Sequence, residues 1–208
     1  MADFSHKPTL AGDRVILRPF RDGDADVMWE SFADPESTRL TGTHTVFTEE
    51  QVRAYYANRN EQTDRLDLAV EERSTGCCVG EAVLNDWNPD NQSSGFRILL
   101  TAEGRGRGLG TEATKLIVVY GFDELRLHRI ELEVYAFNPR ARRVYENAGF
   151  VVEGVMRDAL LWDGEWVDAT LMSMLESDLR PPATSRVVPV AASVSAILSA
   201  ADEPARES

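Results

Sequence analysis

The sequence predicts one mixed α/β domain of the α+β kind, and three observations carry that prediction. Short alternating strand patterns joined by turns accumulate between residues 66 and 100, a strand, helix, strand unit spans about residues 95 to 135, and Asp163-Gly164 marks a late two-residue hairpin. A chain of 208 residues buries one sizeable core without needing a second domain. The domain is expected over residues 1 to 178. The remainder, 179 to 208, opens on Pro181-Pro182 and reads as a tail, either disordered or carrying a weakly amphipathic helix over 191 to 201.

In chain order, Arg14-Val15-Ile16-Leu17-Arg18 alternates as a half-buried strand and stops at Pro19, after which Asp22 is positioned to cap a helix with Ala25, Met28, Trp29 and Phe32 inward. Residues 34 to 47 read as a loop. Thr48 and Gln51 have capping-box spacing, with Val52, Tyr55 and Tyr56 as the apolar stripe of a second helix. Leu66, Leu68 and Val70 alternate with polar neighbours, Ser74-Thr75-Gly76 turns the chain into a strand over 77 to 84, and Asn88-Pro89-Asp90-Asn91 turns it again before 95 to 100. From Leu109 the apolar residues Ala113, Leu116, Ile117 and Tyr120 keep helical spacing, and Ile130, Leu132 and Val134 return to strand spacing. Asn138 and Pro139 suit the start of a further helix, Ala141, Val144, Tyr145 and Ala148 share a face of it, and Gly149 suits its end.

Composition narrows the function. With Lys+Arg 22 against Asp+Glu 35, the net charge of −13 disfavours nucleic acid, whose phosphates need a basic surface, and leaves room for a cationic partner or a merely solvated surface. No apolar run approaches membrane-spanning length and the N-terminus lacks signal-peptide blocks, so no membrane association and a cytoplasmic location are expected. The only cysteines, Cys77 and Cys78, are adjacent; they read as reduced packing residues, and no metal site is expected.

The chemistry concentrates in Arg105-Gly106-Arg107-Gly108-Leu109-Gly110, after a strand and before a helix. Glycines allow the backbone to turn tightly and approach an anion, and the helix start beyond them offers unpaired N–H groups, a setting that suits a pyrophosphate. The Gly-Lys-Ser/Thr ending of a P-loop is missing, and Thr111 stands where a dinucleotide fingerprint needs its third small residue. Arg105, Gly108 and Gly110 instead fit an R/Q-x-x-G-x-G/A loop. With Gly108-Leu109-Gly110-Thr111-Glu112-Ala113, Leu127-His128-Arg129-Ile130, Asn138 to Tyr145, Gly149-Phe150 and Glu153-Gly154 in order, the chain over about residues 9 to 176 resembles the GNAT superfamily of N-acetyltransferases, and within it the RimJ/RimL-type branch.

That resemblance implies a mixed, twisted sheet of about seven strands flanked by helices, in which parallel strands at 97 to 100 and 130 to 135 splay apart around acyl-CoA. It assigns the backbone of Ile98 and Leu100 to the pantetheine and thioester. The amides of Arg105, Gly106, Arg107, Gly108, Leu109, Gly110 and Thr111 fall to the pyrophosphate. Tyr145 falls to the general acid, and Asn138 to the pantetheine or a water near the amine. Arg140, Arg142 and Arg143 crowd one turn and could meet the 3′-phosphate, with Arg142 or Arg143 the choice, and Ala141 replaces the family's usual serine. Acetyl-CoA is then the acyl donor, attacked directly by a primary amine. An alkylamine of pKa about 10 to 10.5 arrives protonated, so a base is required. Glu81, Asp86 and Glu133 lie on or beside central strands; Glu81 is the first choice, and a water chain is the alternative to any of them. The acceptor is left open among a protein N-terminus, a polyamine, an aminoglycoside and another small amine, with the loops at 34 to 47 and 155 to 168 and Asp158, Trp162, Trp166 and Asp168 as expected acceptor contacts. Two other readings stand beside this one: a succinyl-CoA or other acyl-CoA-dependent N-acyltransferase, and a non-catalytic acyl-CoA sensor. A homodimer is left open.

Overall fold

A computed structural model describes residues 3 to 179; the expected helix at 191 to 201 lies outside the described residues. Among the described residues, eight strands form one sheet in the order β1-β2-β3-β4-β5-β6-β8-β7. They are β1 Leu10–Ala11, β2 Val15–Arg18, β3 Leu66–Glu72, β4 Cys77–Asn88, β5 Ser93–Leu100, β6 Arg129–Tyr135, β7 Val151–Trp162 and β8 Glu165–Leu175. The helices are α1 Asp24–Ala33, α2 Pro35–Thr41, α3 Glu49–Ala57, α4 Leu109–Asp123, α5 Pro139–Ala148 and α6 Glu176–Leu179. The mixed character of the sheet is as expected, since β5 and β6 run parallel and every other pairing is antiparallel. The strand count is one higher than expected because β1 is a two-residue strand.

Strand alternation sends side chains to two helical layers. Leu17, Leu68, Leu84, Phe96, Ile130 and Met172 meet Leu109, Ala113, Ile117 and Phe122 of α4 on one face, while Ala69, Cys78 and Leu99 meet Met28, Val52 and Tyr56 from α1 and α3 on the other. Each large side chain fully buried in this way contributes about 1.5 to 3 kcal/mol. Gly121 lets α4 approach closely, since a Cβ there would stand 3.0 Å from Ile130 Cδ1.

Most boundaries follow local chemistry. Thr48 and Gln51 form the reciprocal capping box in full, and Asn138 accepts from the Ala141 amide at the start of α5, which ends on left-handed Gly149. Asp163 and Gly164 take φ of 49° and 83°, as the turn between β7 and β8 requires. Two expectations fail. The residue before α1 is Gly23 in the left-handed region, with no side-chain cap, rather than Asp22. Residues 35 to 41 are a helix rather than a loop: the Asp34 carboxylate accepts from the Glu36 and Ser37 amides, Pro35 sits in the first turn, and left-handed Gly42 closes it.

Candidate active site

Parallel pairing between β5 and β6 is confined to Ser93↔Arg129, Ser94↔Ile130 and Gly95↔Glu131. Beyond Gly95 the two strands part, each held by its own antiparallel neighbour, β4 on one side and β8 on the other. The gap opens into a cleft of about 460 Å³, with Ile98 and Leu100 on one wall, Val134 and Tyr135 on the other, and Gly106, Gly108, Gly110 and Thr111 at its mouth.

The loop between β5 and α4 has the geometry of an anion cradle. Gly106 and Gly108 adopt φ of 72° and 80°, so the chain reverses sharply and α4 begins with its N-terminus open. Among the described residues, the backbone amides of 106 to 111 meet no acceptor, while that of Glu112 already bonds to the Gly108 carbonyl. Six unpaired N–H groups at the positive end of a helix dipole suit a pyrophosphate, and the splayed gap beside them suits an extended pantetheine. These residues therefore fit acyl-CoA.

Not every predicted donor residue points there. Arg107 is ion-paired to Glu72 on β3, at 3.0 Å through Nη1, and leaves only its amide to the cradle. Arg105 departs from the expectation. Its amide is directed at the Ala102 carbonyl, 3.4 Å away, and its guanidinium turns to α2. Leu109 buries its side chain in the core and offers only its amide. On α5, Arg142 is taken up by Glu146 at 2.9 Å, whereas Arg143 lines the cleft with no ion pair among the described residues. Of the two arginines expected at the 3′-phosphate, only Arg143 lines the cleft.

Tyr145 packs edge-on to Phe96 and Phe150 and is 7% exposed, yet it lines the cleft and its hydroxyl has no hydrogen-bond partner among the described residues. Burial pushes its phenol up to about 12, so it is neutral at any physiological pH. Asn138 spends its Oδ1 on the α5 cap and its Nδ2 on the Leu40 carbonyl of α2, 3.4 Å away.

The carboxylates separate clearly. Glu81 lines the cleft but is 1% exposed and already engaged, accepting from Arg97 at 3.0 Å and from the Tyr56 hydroxyl at 3.1 Å. Arg97 also donates to the Tyr55 hydroxyl. Asp86 accepts from Asn85 and does not line the cleft. Glu133 does line it, stands exposed, and makes no hydrogen bond or ion pair among the described residues. Asp158, Trp162, Trp166 and Asp168 do not reach the cleft: Asp168 caps the Asp158 amide, and Trp162 stacks on His44. Cys78 is buried, with its thiol pushed up to about 12 by desolvation, and has no character of a nucleophile. Among the described residues no cluster of His, Cys, Asp or Glu could hold a metal, and no helix is long and apolar enough to cross a membrane.

Residues 14–151 match the model of the acetyltransferase (GNAT) domain. The chain belongs to the GNAT acetyltransferases. It is 44% identical over 177 residues to the probable N-acetyltransferase YjcK of Bacillus subtilis, covering 81% of this chain and 98% of that one. It is 32% identical over 110 residues to the spermidine N(1)-acetyltransferase of Escherichia coli, covering 51% of this chain and 59% of that one. Among solved structures, the spermidine N-acetyltransferase of Vibrio cholerae, in complex with CoA and spermine, superposes with a TM-score of 0.74 at 23% identity, over 80% of this chain and 98% of that one. The GNAT chain is thus an acyl-CoA-dependent acetyltransferase with the fold of its family. Sequence reasoning missed two parts of the GNAT site. It took α2 for a loop although Asp34-Pro35 is a helix-start signal, and it did not foresee Arg97, which announces itself only through its neighbour Glu81.

Proposed function

We propose that this GNAT enzyme moves an acetyl group from acetyl-CoA to the primary amine of a small cationic molecule, a polyamine before other amines, in one ternary complex. The observation that carries the reading is one cleft lined by Gly106, Gly108, Gly110 and Thr111, whose amides are unpaired, by Tyr145 with its neutral hydroxyl and by Glu133 with its unpaired carboxylate. The match to spermidine N(1)-acetyltransferases and the net charge of −13 support a cationic acceptor. The blocks around Leu127-His128-Arg129-Ile130 and Asn138 to Tyr145 support a place in the RimJ/RimL-type branch.

Bound acyl-CoA supplies the acyl carbon and the sulfur leaving group. The amides of 106 to 111 hold its phosphates, Arg143 takes the outer phosphate, and the walls at Ile98 and Leu100 direct the arm inward. Glu133 attracts the ammonium of the acceptor and accepts the proton that the amine must lose to attack. Glu81 is less suited to that work, because both of its oxygens already accept hydrogen bonds, one from Arg97 and one from the Tyr56 hydroxyl. Tyr145, neutral and unpartnered, donates to the departing sulfur as the C–S bond breaks.

Thiol release from acetyl-CoA with spermidine, spermine, an aminoglycoside and a peptide N-terminus tests this, with succinyl-CoA in a parallel arm. Release with the polyamines supports the proposal. Thermal stabilisation by CoA without release from any amine overturns it in favour of a sensor. Glu133→Gln is expected to lower kcat/KM for the amine by about 10² to 10³-fold and leave acetyl-CoA affinity unchanged. Wild-type turnover in that variant removes Glu133 from the chemistry.

A further inference from the structure

Arg105 stands in the phosphate-binding loop, yet its side chain is spent elsewhere. Nε donates to the Leu100 carbonyl at 2.9 Å, at the end of the β5 wall of the cleft. Nη2 donates to the Ser37 hydroxyl and lies 3.5 Å from Asp34 Oδ2, while Nη1 lies 3.3 Å from Glu36 Oε2. Its side chain is only 10% exposed. The planar fork therefore bridges the donor strand to the first turn of α2, where Ser37 is buried and also donates to Asp34 at 2.7 Å.

The rest of α2 is fastened to the same cleft. Asn138 donates to the Leu40 carbonyl, Arg39 lies over the Phe137 ring at 4.4 Å, and Gly42 rests so closely on Tyr135 that a Cβ would stand 2.6 Å from Cε2. Just past Leu40, Thr41 and Thr43 line the cleft. Ser37 and Thr41 share one short helix, and past left-handed Gly42 the Thr43 amide donates back to the Thr38 carbonyl at 2.9 Å, so a shift at Ser37 is carried to Thr41 and Thr43.

From this geometry we infer that Arg105 is a positioning residue: it holds α2, and with it the Thr41 to Thr43 wall, against the CoA-binding strand, and so governs the acceptor amine rather than the acyl donor. This rests on the reading of the loop as the CoA site. CoA affinity is insensitive to the Arg105 side chain because the phosphates are met by backbone amides.

Arg105→Ala is expected to raise the amine KM by about tenfold and lower kcat a few-fold, with the acetyl-CoA Kd, measured by calorimetry, within about twofold of wild type. Arg105→Lys recovers part of the loss, since one ammonium cannot span both partners. Ser37→Ala touches α2 alone and is expected to raise the amine KM about threefold, and the Arg105→Ala/Ser37→Ala double variant to be no worse than Arg105→Ala. A weakened acetyl-CoA Kd with unchanged amine KM overturns the inference by making Arg105 a donor ligand. Multiplicative effects of the two substitutions, or a silent Ser37→Ala, overturn it as well, the last even if Arg105→Ala fails to fold. Failure of the wild type to bind CoA would sink the underlying reading instead, and calorimetry on the wild type separates the two.

Discussion

Replacing Tyr145 with phenylalanine removes one oxygen and leaves the packing in place. The ring centroid lies 6.1 Å from those of Phe96 and Phe150, contacts that phenylalanine repeats, and the hydroxyl gives up no hydrogen bond within the described residues. The melting temperature and the acetyl-CoA Kd should therefore stay at their wild-type values. On the proposed mechanism the variant loses the acid that protonates the departing sulfur, and positioned general acids contribute about 10² to 10⁴ in rate, or about 2.7 to 5.4 kcal/mol of barrier. Steady-state thiol release with a saturating amine reads this as a fall in kcat. Because burial raises the phenol to about 12, the acid form persists as pH rises, and the wild-type rate should show no alkaline decline attributable to this group up to pH of about 10. Wild-type kcat in Tyr145→Phe, or an alkaline limb below pH of about 10 that the variant abolishes, refutes the reasoning.

Two predictions concern stability. Arg97→Met leaves the carboxylate of Glu81, 1% exposed, without its cation; because Arg97 itself is half-exposed the cost is expected at about 2 kcal/mol, or roughly 4 to 8 °C in a calorimetric Tm, and Glu81→Gln added to it should recover part of the loss. Glu153 is held down to about 2 by hydrogen bonds from Arg129 and then Ser173, below its unfolded value of about 4.3. A depressed carboxylate stabilises the fold above its unfolded pKa and ceases to as pH falls toward the folded one. The urea midpoint should thus drop more steeply between pH of about 4.5 and 2 in wild type than in Glu153→Gln, and equal slopes would show that the pair adds nothing to acid stability.

Much of the site was legible because its geometry is made within a few residues. The cradle needs only glycines able to take positive φ and a helix that starts just after them, and the chain spells both between Gly106 and Leu109. The capping box at Thr48, the Asn138 cap and the Asp163-Gly164 turn are equally local. Helix α2 was also written locally, in Asp34-Pro35, but its seven residues lack an apolar stripe to give it away.

What the sequence determined by itself is the loop before α4, with its positive-φ glycines and the unpaired N–H groups of an open helix start, which depend on local chain geometry and not on distant partners. Tertiary structure alone decided where the charged side chains went. Glu81 and Arg97 meet because the β4–β5 register sets Glu81 opposite Leu99 and Val83 opposite Arg97, making the two charges diagonal neighbours on one face. Glu133, on β6, makes no ion pair among the described residues and lines the cleft. Arg105, which reads as a phosphate residue, is drawn 68 positions back along the chain to Ser37. A side-chain charge acts over whatever the fold sets beside it, and those neighbours come from segments that sequence spacing does not relate.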